Sequence, residues 1–227
     1  MELSDRDMEV VRVVGRFYQL ASSHVAALLF PDTTGTPVDR ALARLVRLEA
    51  LNRIGRRAAG AQGGAGAYVY QLGSRGWWLL QREGRYRPYR AINHHMLKVA
   101  DVYVDLLAAE KGGGIKILHA ELEQPIGNAR PDLTVELGLV QQRQKASYAI
   151  EVDLGSEKPR IIAAKCAAYV EAFSRSLRNP FPYVLFLVPD EWRKSEVSRV
   201  LGRLTEGREV FSVSLFTELA AGFSATP

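Results

Sequence analysis

Apolar residues at the start of the chain recur with a helical period. Val10, Val11, Val14, Phe17 and Tyr18 line one face. Ser4-Asp5-Arg6-Asp7 before them supplies a serine able to cap the first amides and an acid three residues on. A helix is therefore predicted from about Ser4. A second, short one begins at Ser22 or Ser23, carries Val25, Leu28 and Leu29, and is broken by Pro31-Asp32-Thr33-Thr34-Gly35. A third opens near Pro37, a favourable first-turn residue, and keeps Val38, Ala41, Leu42, Leu45 and Leu48 on one side. The period then changes. Leu51 to Arg57 and Ala67 to Leu72 read as strands flanking the glycine-rich stretch Ala58 to Gly66. Three helices followed by a hairpin with a glycine-rich tip predict a winged helix-turn-helix over residues 1–84, with Trp77, Trp78, Leu79 and Leu80 closing its core.

Gln81 to Arg90 is charged, contains Pro88 and has no apolar period, which places a linker at 85–90. From residue 91 to 227 the pattern predicts a second domain. A helix from about Ala91 to Glu110 ends at Gly112-Gly113-Gly114, and strands are expected at Ile115–Leu122, Asp132–Leu137 and Tyr148–Leu154. A helix over Pro159–Leu177, a strand over Tyr183–Val188, a helix over Trp192–Leu204 and a strand over Val210–Leu215 complete it. Tyr183 to Val188 is apolar on both faces, as a covered central strand must be. This order makes the chain α+β overall, with a C-terminal α/β sandwich around a mixed sheet.

Composition adds direction rather than identity. Hydrophobic residues make up 47% of the 227, enough for a sizeable core, and the net charge of +5 suits an acidic partner such as nucleic acid. Cys166 stands alone, so no intrachain disulfide can form, and its apolar helical setting reads as a small buried hydrophobe. His24, His94, His95 and His119 have no metal-ligand spacing. The first residues have no signal-peptide character and no apolar run approaches the roughly 20 residues of a membrane span, so a soluble cytoplasmic protein without membrane contact is expected.

Candidate chemistry gathers in the second half. In Tyr148 to Leu154 the even positions are apolar, which leaves Glu151 and Asp153 together on the other strand face, with Asp132 opening the preceding strand. If the two strands form a hairpin, three carboxylates converge near one sheet edge. Such an oxygen-rich set suits magnesium or manganese, which could activate water against a phosphodiester. Lys165 falls on the apolar side of its helix, four after Ile161 and four before Tyr169, where an ammonium must meet a carboxylate or snorkel. The competing reading of these residues is an ion-pair cluster that only closes the sheet.

Arg130-Pro131-Asp132, Glu151-Val152-Asp153-Leu154-Gly155-Ser156-Glu157, Lys165 and Tyr169 together resemble the signature of the replication-relaxation family. His95 to Asp101 and Tyr70 to Gly76 are similar to its other segments, so the resemblance spans most of the chain. It implies a protein of plasmids and mobile elements, associated with replication, relaxation or mobilisation. The same C-terminal pattern resembles the PD-(D/E)XK nuclease superfamily, which implies Asp132 and Glu151, with Asp153 beside them, as catalytic and metal-binding residues. Where that superfamily has lysine two after the second acid, this chain has Asp153. Either Lys165 substitutes from the helix, or cleavage has been lost.

On the third helix Arg40, Arg44 and Arg47 recur at four- and three-residue spacing opposite the leucines, a stripe suited to a major groove. Arg53, Arg56 and Arg57 lead into the wing and could reach the neighbouring backbone. A solvated basic face is the alternative. The functions expected are a DNA-binding accessory protein that meets double-stranded DNA and a replication initiator or relaxase, with a homodimer as a candidate assembly; a magnesium- or manganese-dependent endonuclease; or a winged-helix transcriptional regulator.

Overall fold

Ser4 starts the first helix as its sequence suggests. In the computed structural model, which describes residues 3–31, 33, 35–58, 66–176 and 180–219, its hydroxyl accepts from Asp7 N and its own N–H donates to Asp7 Oδ2, both at 3.2 Å. This reciprocal cap opens α1 (Asp5–Phe17), whose Val10, Val11, Val14 and Phe17 are buried. Tyr18, at φ 61°, ends it and turns the chain into β1 (Gln19–Ala21). The sequence pattern did not predict β1, since three residues carry no measurable period. The helices α2 (Ser22–Leu29) and α3 (Gly35–Arg47) follow, the latter burying Val38, Ala41, Leu42 and Leu45. The strands β2 (Leu51–Arg56) and β3 (Tyr68–Leu72) pair antiparallel, and β1 joins β3 on its other edge, giving the order β1-β3-β2. The glycine-rich tip expected between them falls largely at 59–65, outside the described residues.

The helix α4 (Ser74–Leu79) packs closely enough that a side chain at Gly73 or Gly76 would meet the Glu49 or Ala50 carbonyl at 2.1 Å. Its register corrects one expectation: Trp77 is half-buried, but Trp78 is 81% exposed and cannot close the core. Six residues make fewer than two turns, so adjacent tryptophans cannot share one face.

The long α5 (His94–Lys111) runs across the division between two compact units, Met1–Val104 and Asp105–Pro227. In the second unit β4 (Ile115–Leu122), β5 (Leu133–Leu139) and β6 (Gln144–Val152) form an antiparallel meander. After α6 (Pro159–Arg175), β7 (Tyr183–Val188) pairs parallel to β6; after α7 (Glu191–Leu201), β8 (Phe211–Leu215) pairs parallel to β7. The result is a mixed sheet in the order β4-β5-β6-β7-β8. Ala149, Val184, Phe186 and Val188 form a core with Ile162, Cys166 and Tyr169 of α6 and Val197 and Leu201 of α7. Cys166 is buried, as its setting suggested, and burial first of all pushes its thiol up to about 12.

Candidate functional site

The antiparallel register of β5 and β6 positions the first acids. Leu133 stands opposite Ile150, so one step further brings Asp132 opposite Glu151. The Val152 N–H donates to Asp132 Oδ2 at 2.7 Å, fixing that carboxylate against the strand. Glu151 shares its strand face with Ala149, part of the core beneath α6 and α7. The carboxylates therefore gather at the end of a central strand under helices, not along an open sheet edge. Both faces of β6 are buried here: Ile150 and Val152 on one, Glu151 and Asp153 at 2% exposure on the other.

A buried carboxylate needs donors, and α6 supplies them. Lys165 Nζ donates to Glu151 Oε2 at 2.9 Å, and Tyr169 Oη donates to Glu151 Oε1 at 2.6 Å, so both oxygens are engaged. Lys165 also donates to Glu157 Oε1 at 2.8 Å, while Glu157 Oε2 is buried without a hydrogen-bond partner. Burial is the largest influence on Glu151 and raises its carboxyl, as does nearby Asp132; Lys165 and Tyr169 oppose this, and the net shift is upward. Burial works against the Lys165 ammonium, but Glu151 and Glu157 outweigh it and raise its pKa. Burial and the Glu151 charge likewise push the Tyr169 hydroxyl up.

Asp153 belongs to a second network. Its Oδ2 accepts from Arg193 Nε at 2.8 Å and from Nη2 at 2.6 Å, and its Oδ1 accepts from Gly155 N at 2.7 Å. Arg193 also pairs with Glu196 and donates to the Glu157 carbonyl at 2.6 Å, and is itself buried. The structure thus brings Asp132, Glu151 and Lys165 together and directs Asp153 to Arg193. Among the described residues no three His, Cys, Asp or Glu side chains gather as a metal-binding group.

In the first unit, Arg40 and Arg47 are exposed on the α3 face opposite its leucines. Arg44 ion-pairs instead with the buried Asp7 of α1. Arg53 and Arg56 both place guanidinium carbons over the Tyr68 ring, at 4.4 and 3.8 Å from its centroid. They line a cleft of about 560 Å³ between α3 and the hairpin, with Asp39 on its helix side. Arg57 grips Asp101 with both amino groups, one at 2.7 Å, and the buried His24 reaches the same carboxylate through Nε2 at 2.8 Å. His24 Nδ1 accepts from Ala21 N at 3.2 Å, so Nε2 carries the proton given to Asp101. Of the six arginines read from sequence, Arg40 and Arg47 are exposed on α3, Arg53 and Arg56 line the cleft, and Arg44 and Arg57 are held by acids of their own unit.

The sequence model of the replication-relaxation family matches residues 12–184. The chain belongs to the replication-relaxation family. The match runs from α1 to the start of β7 and so takes in α3, the hairpin, Asp132, Glu151 and Lys165. No curated protein and no solved structure matches the chain. Arg193 lies beyond the stretch shared with the replication-relaxation family, and sequence reading missed it: an arginine in a charged helix, 40 residues from Asp153, carries no signal of pairing. Asp101 was likewise legible only as part of a family-like segment, never as the partner of Arg57.

Proposed function

We propose that this replication-relaxation protein is a DNA-binding accessory factor of plasmid or mobile-element replication, relaxation or transfer. Its first unit acts as a winged helix-turn-helix reader of duplex DNA. The observations that carry this reading are Arg40 and Arg47 exposed on α3 and, on the hairpin, Arg53 and Arg56 braced on Tyr68 beside the cleft that Asp39, Ala43 and Val46 of α3 also line. Helix order and the β1-β3-β2 sheet support it, with α3 as the helix offered to the major groove and β2–β3 as the wing. In this reading a replication initiator or relaxase is the protein partner. Binding of duplex DNA by the full chain, weakened and made less salt-dependent in Arg40→Ala/Arg47→Ala, is the test; unchanged binding in that variant would move the DNA site elsewhere.

One observation favours a second reading, a metal-dependent endonuclease of PD-(D/E)XK type. Asp132 lies opposite Glu151, and Lys165 reaches Glu151 from α6, which supports Lys165 as the substitute for the lysine that Asp153 replaces in that pattern. The order helix, three antiparallel strands, helix, parallel strand supports the same likeness. Asp132 and Glu151 are the carboxylates that would hold magnesium or manganese, their oxygens matching a hard cation. Bound there, the ion would supply an activated water. Lys165 would place positive charge beside the phosphate. Asp153, held by Arg193, orders the loop leading to Glu157 rather than serving the ion.

A further inference from the structure

One row of amides crosses the small sheet of the first unit. Gln71 of β3 stands opposite Gln19 of β1 on one side and Asn52 of β2 on the other. Residues opposite one another on adjacent strands share a face, so the three side chains stand side by side. Gln19 and Gln71 are buried, and buried amides require partners. Every one of those partners comes from residues 86–93. Asn52 Nδ2 donates to Tyr86 Oη at 2.8 Å, and Tyr86 Oη donates to the Leu72 carbonyl at 2.9 Å. Gln71 Nε2 donates to Tyr89 O at 3.0 Å while its Oε1 accepts from Tyr89 N at 2.8 Å. Gln19 repeats the device, donating to Ala91 O at 3.0 Å and accepting from Asn93 N at 2.8 Å. Ile92 packs so close to Gly55 that a side chain there would lie 3.3 Å from its Cδ1.

The stretch read from sequence as a linker is therefore strapped across the sheet over β2, β3 and β1 in turn. The strap uses its backbone and Tyr86 for attachment. Arg85, Arg87 and Arg90 are left exposed, and none is paired with a carboxylate among the described residues. Arg82 is held separately, donating to the Gly15 carbonyl at 2.7 Å, and Glu83 is the one acid between Arg82 and Arg90.

We propose that Arg85, Arg87 and Arg90 form a basic arm that binds the phosphate backbone of DNA, held ready by the Gln19–Gln71–Asn52 row; this rests on the DNA-reading role of the first unit. Three guanidiniums with no carboxylate partner among the described residues repel one another, and a polyanion relieves that repulsion. The strap crosses two inter-strand spacings, roughly 10 Å, about three backbone charges of a single strand at 3.4 Å each. Its ordering is completed on folding, so binding does not have to supply that entropy. The amide row makes Gln71 a positioning residue, which acts through the backbone of Tyr89.

The test is fluorescence anisotropy of the full-length chain with labelled duplex and with the same sequence as a single strand, over a salt series. Arg85→Ala/Arg87→Ala/Arg90→Ala should lower affinity at least about tenfold at moderate salt and flatten the log–log salt slope by about 2.7 on duplex, 0.9 for each phosphate no longer neutralised. The strand form that shows the larger loss identifies the source of the phosphates. Thermal unfolding of the triple variant should match the parent, because these side chains are exposed. Gln71→Ala should weaken binding with the slope retained, since every charge remains. Wild-type affinity and slope in the triple variant would overturn the arm. If Arg40→Ala/Arg47→Ala loses binding while the triple variant does not, the arm fails and the reader stands. A parent chain that binds neither DNA form removes both.

Discussion

Glu151 is the buried carboxylate on which Lys165 and Tyr169 converge. Its carboxylate is buried between Lys165 and Tyr169, and burial raises its pKa more than Lys165 lowers it. A carboxyl raised in the folded state binds its proton more tightly there than in the unfolded chain. Its contribution to stability is fullest below the unfolded value, near 4.3, and is lost as pH rises through the folded value. Lys165, also raised, contributes fully below the unfolded lysine value near 10.4 and loses its contribution only above it. Lys165→Met should therefore destabilise the protein by about 3 kcal/mol at neutral pH, the low end of the range for breaking a buried pair, because Tyr169 still donates. The deficit should shrink at about pH 4, where Glu151 takes up a proton and no longer needs a cation; urea unfolding at the two pH values measures it. An equal deficit at both would contradict the pairing.

Asp101 runs in the opposite direction. Burial raises it, but hydrogen bonds from Arg57 and His24 outweigh that, and its carboxyl lies well below the ordinary range. Its stabilisation is present above the unfolded value, near 3.9, and lost as pH falls through the folded one. Asp101→Asn should cost about 1–2 kcal/mol at neutral pH, since the pair is partly screened by solvent. The gap from the parent should narrow in acid unfolding below about pH 4.

At the scale of elements, sequence patterns were most legible where a long period met a strong breaker. Ile115–Leu122 after three glycines and Tyr183–Val188 appear with the bounds their apolar runs suggest, and Ser4 caps α1. Polar side chains that reach across the chain left no such trace. Gln19 and Gln71 carry no sequence signal of burial, yet each holds a backbone segment more than 15 residues away, which is why 85–90 read as a linker. For the candidate site, the identities of Asp132, Glu151 and Lys165 could be read from strand alternation and helix spacing. The separation of Asp153 into the Arg193 network could not, because alternation gives a face but not the helix that covers it. The strap makes its own prediction. The Tyr89 amide, bonded to Gln71 Oε1, should exchange slowly with solvent, and Gln71→Ala should accelerate that exchange. Equal exchange in both proteins would mean the clasp is open in solution.

At the scale of the whole molecule, a basic chain of net charge +5 carries two sites of opposite character. One is an arginine-rich surface around α3 and the hairpin; the other is a buried carboxylate and lysine cluster beside a central strand. Among the described residues no helix is long and apolar enough to cross a membrane. The endonuclease reading predicts cleavage of supercoiled, linear or single-stranded DNA with magnesium or manganese, abolished in both Asp132→Ala and Lys165→Ala. Absence of cleavage with every metal and substrate would leave the accessory, DNA-binding reading.

That central reading is tested most directly by salt-titrated binding of the full chain to duplex DNA, parent against Arg40→Ala/Arg47→Ala. It predicts parent affinity that falls steeply with salt and a slope about 1.8 shallower in the double variant, two neutralised phosphates at about 0.9 each. A parent that does not bind duplex DNA, or a double variant with unchanged affinity and slope, would contradict it.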